Sequence, residues 1–399
     1  MMAARKVRMT NKPTHAGGFS LIELLVSVVI GLLALVFATR LITGSEQNKS
    51  SALGGSDSMQ NGMLAMFSIS GDAQQAGFGL NDPLLVGCHT QFYDRSGYVL
   101  ANATRGSATI QPLAPAVIGN GGTGPDTITL YSGSSMSGTG TLRMTSNYIG
   151  GTRVDVDRIP YGFNLGDVVV VAPDNIGDGN CALAQISADP STLAAPPSQQ
   201  FVMVAGGTGF RYNSGALGNN YNAGMARLFN LGPGRTLSFH TWSVANGFLQ
   251  LRSTDLAGTG GGAQAVADNI VSIKAQYGFD TRTGGAFTPQ TGLQVRRWST
   301  AMIDADGDSA VGGAGDYQHI AALRIAVVAR SAARERPAAN GVCTATTVLP
   351  TVFGSVVPTG VTAQEVTVGV DTGVPDWRCY RYRVFETIVP LRNAGWRPA

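Results

Sequence analysis

The residues from Phe19 to Ala38, FSLIELLVSVVIGLLALVFA, form an apolar run carrying a single charge, Glu23. At about 1.5 Å of rise per residue, twenty helical residues reach roughly 30 Å, the thickness of a bilayer's hydrocarbon core. The eighteen residues ahead of the run hold Arg5, Lys6, Arg8 and Lys12 and no acid, whereas only Arg40 and Lys49 follow soon after it. An excess of cations keeps its side of a membrane helix in the cytoplasm, so the pattern predicts a single-pass anchor with an exported C-terminal body. The order of parts is not that of an ordinary secretory signal, which puts its apolar region before a small-residue cleavage site. Here a polar, basic leader ending in Gly17-Gly18 comes first. Glu23 is the residue a plain anchor would avoid, because a carboxylate in a membrane helix carries a penalty on the order of a few kcal/mol.

Gly18-Phe19-Ser20-Leu21-Ile22-Glu23-Leu24-Leu25 resembles the processing motif of type IV prepilins. The resemblance implies cleavage after Gly18 by a prepilin peptidase and N-methylation of the new terminal residue, Phe19. Glu23 then becomes the fifth mature residue. Its carboxylate is expected to neutralise the α-amine of a neighbouring subunit, so that two costly charges offset each other only on assembly. A plain anchor with Glu23 solvated near the interface is the alternative; the Gly-Phe junction, the glutamate spacing and the basic leader together favour the pilin-like reading.

With 399 residues, 44% of them hydrophobic, the chain can bury a substantial core. Only 13% are charged and 53 are glycine, a balance that favours sheets and loops over a helical bundle. The formal charge of +3 comes from the leader: without its four cations, 24 basic residues face 25 acidic ones. A near-neutral body lacks the clustered cations that a phosphate backbone requires, so no direct nucleic-acid partner is expected.

Beyond Ala38, Leu53, Met59, Met63, Met66, Phe67 and Ala73 recur at helical spacing and predict that the helix continues to about Ala76-Gly77, burying this Met-rich face against a sheet. Gly54 and Gly55 predict a kink or melted stretch on the way. Strands are expected around 127–131, 141–146, 167–172, 183–187, 201–204, 236–243, 248–252, 270–278, 321–329 and 380–389. The Pro-, Gly- and Ser-rich segments 190–235 and 335–378 read as insertions or long loops. The predicted class is α+β: a leader (1–18), an N-terminal helix (19–76, membrane part 19–38) packed on an enlarged antiparallel sheet, and a β-rich head (77–399).

Several segments along the body resemble minor pilins of the PilW family. They are Asp72-Ala73-Gln74-Gln75-Ala76-Gly77-Phe78 leading toward Cys88, Asp126–Tyr131, Gly166–Val171, Tyr277–Asp280, and Phe385-Glu386-Thr387 through Leu391-Arg392-Asn393. The resemblance implies a non-enzymatic subunit that joins other minor pilins, the major pilin and a tip adhesin in a complex priming pilus polymerisation. Its implied setting is the inner membrane, beside the prepilin peptidase and the assembly platform, before export into an extracellular pilus that supports twitching motility and adhesion. A minor pseudopilin of type II secretion and a membrane-tethered binding module are the alternatives.

Cys88, Cys181, Cys343 and Cys379 are too few for a disulfide scaffold and form no zinc pattern, so two disulfides are expected in an exported body. Three connectivities exist, of which neighbour pairing closes the shorter loops. Asp304, Asp306 and Asp308 alternate in IDADGDSAV and resemble the start of a calcium loop, but Ser309 and Gly315 stand where an EF-hand needs glycine and a bidentate glutamate, and Asp316 lies one place late. They are a candidate structural Ca²⁺ site beside the plainer reading of an acidic turn; no other cofactor is expected. Gly119-Asn120-Gly121-Gly122-Thr123-Gly124 matches a dinucleotide fingerprint only formally, since Pro125 and a strand follow it where a helix must start. His15, His89, His240 and His319 make no metalloprotease pattern, and His240 and His319 read as satisfied sheet residues.

Overall fold

The computed structural model describes residues 20–135, 141–175, 180–193, 200–256, 261–338, 340–371, 374 and 376–395. The chain divides into two compact units, residues 1–53 and 54–399. One helix, Leu21–Gln75, supplies the described part of the first unit and continues into the second. It is assigned as helix through Gly54 and Gly55, so the melted stretch expected there is absent.

Within the second unit the helix presents its small residues to the head. Gly54, Ser58, Gly62, Ala65, Ile69, Ala73 and Ala76 are buried, at the three- and four-residue spacing of one helix face. The expected Met-rich face is largely turned to solvent. Met59 is 45%, Met63 48% and Phe67 77% exposed, whereas Met66 and Ala73 pack as expected; the side chain of Leu53 lies outside the described residues. Side chains this small let the helix axis approach the sheet, where the bulk is supplied by the sheet side chain Phe385, lying against Gly62.

The head is built from several sheets rather than one enlarged sheet. A six-stranded sheet runs in the spatial order Pro112–Leu113, Cys88–Gln91, Asn180–Gln185, Asp167–Pro173, Ala226–Pro233, Thr141–Arg143. All its pairings are antiparallel except that of Cys88–Gln91 with Asn180–Gln185. A five-stranded sheet has the order Gln264–Asp268, Phe248–Ser253, Ser238–Ala245, Thr127–Ser132, Ala116–Gly119, and a four-stranded sheet the order Arg297–Ser299, Ile270–Phe279, Ile320–Arg330, Tyr382–Pro390.

Continuous apolar runs mark strands covered on both faces. In Asp167–Pro173, Val168, Val170 and Ala172 point into the main core with the helix residues Ala65, Ile69 and Ala73, while Val169 and Val171 point into a second core with Val154, Val202 and Leu228. The six-stranded sheet therefore divides two hydrophobic cores. One of its inner strands, Ala226–Pro233, falls in the segment expected to be a long loop. Its register shifts between Asn230 and Gly232, and Gly232 has φ of 94°, so a bulge hides the strand's alternation. The segment 335–378 is largely irregular, as expected, with one two-residue pairing of Thr351–Val352 and Val366–Thr367.

Candidate functional site

Gly18 and Phe19, the expected cleavage and methylation positions, lie outside the described residues. The helix starts at Leu21, which puts Glu23 in its first turn, where Oε2 accepts the Ser20 backbone N–H at 3.3 Å. A carboxylate there meets the positive end of the helix dipole. Leu21–Ser45 is long and apolar enough to cross a membrane. This is one apolar helix that can serve as a single-pass anchor, with its one acidic group near the N-terminal end.

The two disulfides are Cys88–Cys181 and Cys343–Cys379, the neighbour pairing. The first cross-links the parallel strand pair, where Thr90 is opposite Cys181, inside the main core. The second ties the irregular segment after Arg330 to the turn that leads into Tyr382–Pro390, and Glu335 N–H donates to Cys379 O at 2.7 Å beside it.

Asp304 and Asp306 come together with Asp316 rather than with Asp308: one carboxylate oxygen from each of these three lies within 4.8 Å of the others. Asp308 is outside that group and accepts the Ala310 N–H at 2.7 Å. Asp316, in the short helix Ala314–Gln318, is buried and accepts from Ala305, Gly312 and Gly313, folding the end of the loop back over its start. Gly315 leaves the space that the Asp306 carboxylate enters. Burial, reinforced by Asp308 and Asp304, pushes the Asp306 carboxyl up, and burial with the charge of Asp306 does the same to Asp316. The sequence pattern could not place Asp316 in the group, because its role depends on a helical turn and not on loop spacing.

The glycine-rich turn has a structural owner. Lys274, fully buried, donates to Gly122 O at 2.9 Å and Gly124 O at 3.1 Å and pairs with Asp126. Asp126 also accepts Gly121 N–H at 2.8 Å and Ala275 N–H at 2.9 Å. The turn is thus the cap of a buried ion pair, and its backbone N–H of Gly121 is already spent on a carboxylate.

His240 is more than a satisfied sheet residue. Its Nδ1 lies 2.7 Å from Asp72 Oδ2 and its Nε2 3.0 Å from Ser238 Oγ, the contacts of a serine, histidine and aspartate relay. Asp255 Oδ1, however, lies 2.8 Å from the same Nε2. Burial alone would lower the imidazole's pKa, but hydrogen bonds and charge from Asp255 and Asp72 push it up to about 9. Asp255 thus shares Nε2 with Ser238, a departure from such a relay, in which that nitrogen faces the serine alone. Sequence inspection missed this cluster because its members are up to 183 positions apart, Asp72 to Asp255.

Against this geometry, residues 241–393 match the family model of type IV pilus-assembly protein W, PilW. That stretch is similar to the PilW family. It contains the whole four-stranded sheet, the Cys343–Cys379 disulfide and the acidic loop. No curated protein and no solved structure matches the chain significantly.

Proposed function

We propose that this chain is a minor pilin: a structural, non-enzymatic subunit of the complex that primes a type IV pilus and sits at its tip. The observation that carries the reading is the PilW match over residues 241–393 in a chain whose N-terminal apolar helix bears Glu23 in its first turn. In this reading prepilin peptidase cuts at Gly18-Phe19, Phe19 is methylated, and the Leu21–Ser45 segment holds the subunit in the inner membrane with the head in the periplasm. Glu23 then pairs with a neighbour's new α-amine as the subunit leaves the bilayer for the filament. Its partners are other minor pilins, the major pilin, a tip adhesin and the inner-membrane assembly platform. Size supports a tip role over a repeating one: removal of the leader leaves 381 residues, most of them in a head that would crowd every repeat of a thin filament.

A clean deletion tests the reading. Surface pili and twitching motility should fall sharply and return when the gene is restored. Normal piliation in the deletion strain would overturn the priming role, and a selective loss of enzyme export would assign the subunit to type II secretion instead.

A further inference from the structure

Asp72 lies in the last turn of the N-terminal helix, and its Oδ2 accepts from two side chains of the Ser238–Ala245 strand, Trp242 Nε1 at 2.8 Å and His240 Nδ1 at 2.7 Å. On the other side of the imidazole, Asp255 approaches Nε2 from the segment that follows Phe248–Ser253. Three separate stretches of chain therefore meet on one buried ring. We propose that Asp72, His240 and Asp255 form a charge clasp that fastens the end of the N-terminal helix to the head, shut while the imidazole is protonated and released when it is not.

The argument rests on donor counting. A neutral imidazole has one N–H and one lone pair, whereas both of its nitrogens here face carboxylate oxygens, which only accept. A neutral Nε2 could accept from the Ser238 hydroxyl, but its lone pair would then oppose Asp255, so only imidazolium donates to Asp72 and Asp255 together. Among the described residues, the charged groups acting on the ring are Asp72 from the helix and Asp255 from the loop. Its cross-strand neighbours, Leu130 on one side and Ser253 on the other, bring no charge, and neither does Ser238 on its own strand. Farther out, Asp255 acts on Arg211, which is neutralised by Asp94 at 2.7 Å.

The sign follows. A histidine whose folded pKa is raised contributes stability that is complete below its ordinary value of 6.5 and is lost as pH rises through about 9. The clasp is therefore strongest on the acid side of neutrality, until Asp255, held below the usual carboxylate range by the imidazolium against the opposing effect of burial, is itself protonated.

The test uses the full chain in detergent micelles with isotope-labelled histidine. The resonances absent from His240→Gln should report an imidazolium that persists through neutrality and titrates near the clasp value, and amide exchange of helix residues 69–76 should be several-fold faster in His240→Gln than in the wild type, with residues 56–62 unchanged. Titration of His240 at or below the ordinary value would overturn the proposal, as would unchanged exchange at 69–76. Neither measurement depends on pilus assembly, so a failed clasp and a failed pilin reading are distinguishable.

Discussion

A Cβ added at Gly62 would run into the ring of Phe385, so the helix and the Tyr382–Pro390 strand meet where any larger side chain must push that ring aside. Apart from Ile69, the buried face of the helix is made of small residues, Gly54, Ser58, Gly62, Ala65 and Ala73.

Gly62→Val should therefore cost about 1–3 kcal/mol through overpacking, read as a lowered denaturant midpoint. Phe385→Ala in the same chain should recover part of that loss. Additive losses in the double variant would show that the two side chains do not collide.

Lys274→Met removes the cation from a buried pair and strands Asp126 in the core. A loss of about 3–5 kcal/mol is expected, and a loss under about 1 kcal/mol would mean that Asp126 is neutral or hydrated. Asp126→Leu should be at least as damaging, because it also orphans the Gly121 and Ala275 N–H groups.

Most of the longer strands were legible in advance; many short ones, such as Cys88–Gln91 and Arg153–Val156, and the helix face were not. Runs such as Val168–Val171 and Ile320–Arg330 are apolar without interruption because both their faces are covered, and every expected strand has a counterpart in the fold. Ala226–Pro233 was hidden by its bulge at Gly232. The helix misled because apolar periodicity finds the greasiest stripe, whereas packing chose the smallest one; nothing in residues 54–75 records that Phe385 waits opposite. In the site, adjacent carboxylates were visible as a pattern, but Asp316 and the Asp72, His240, Asp255 group depend on tertiary approach.

The two disulfides close loops of different length, with separations of 93 for Cys88–Cys181 and 36 for Cys343–Cys379. On loop entropy, replacing the first pair by serine should cost about 4–5 kcal/mol and the second about 3–4. Equilibrium unfolding of the two double variants checks the order, which loss of core packing at Cys88 and Cys181 should widen.

The acidic loop predicts a pH response of its own. Because the folded pKa of Asp306 is raised, its contribution is greatest below the ordinary carboxylate value and is lost as pH rises through the folded one. Asp306→Asn should therefore raise the melting temperature at neutral pH in the presence of a chelator. If the loop takes Ca²⁺, millimolar calcium should reverse the ranking; an equal calcium response in both proteins would argue for a plain acidic turn.

Glu23→Ala should leave processing intact, with mass spectrometry still finding methylated Phe19, while incorporation into sheared pili falls by an order of magnitude or more. Unchanged incorporation would remove the charge-pairing role.

Because the helix spends its small residues on the head, Met59, Met63 and Phe67 remain on the outside of the second unit. Trimming the chain at Gly54 to obtain a water-soluble fragment would discard the apolar Leu21–Ser45 segment and keep this second apolar stripe. Such a fragment should self-associate at high concentration, and polar substitutions at Met63 and Phe67 are where a monodisperse sample would be sought.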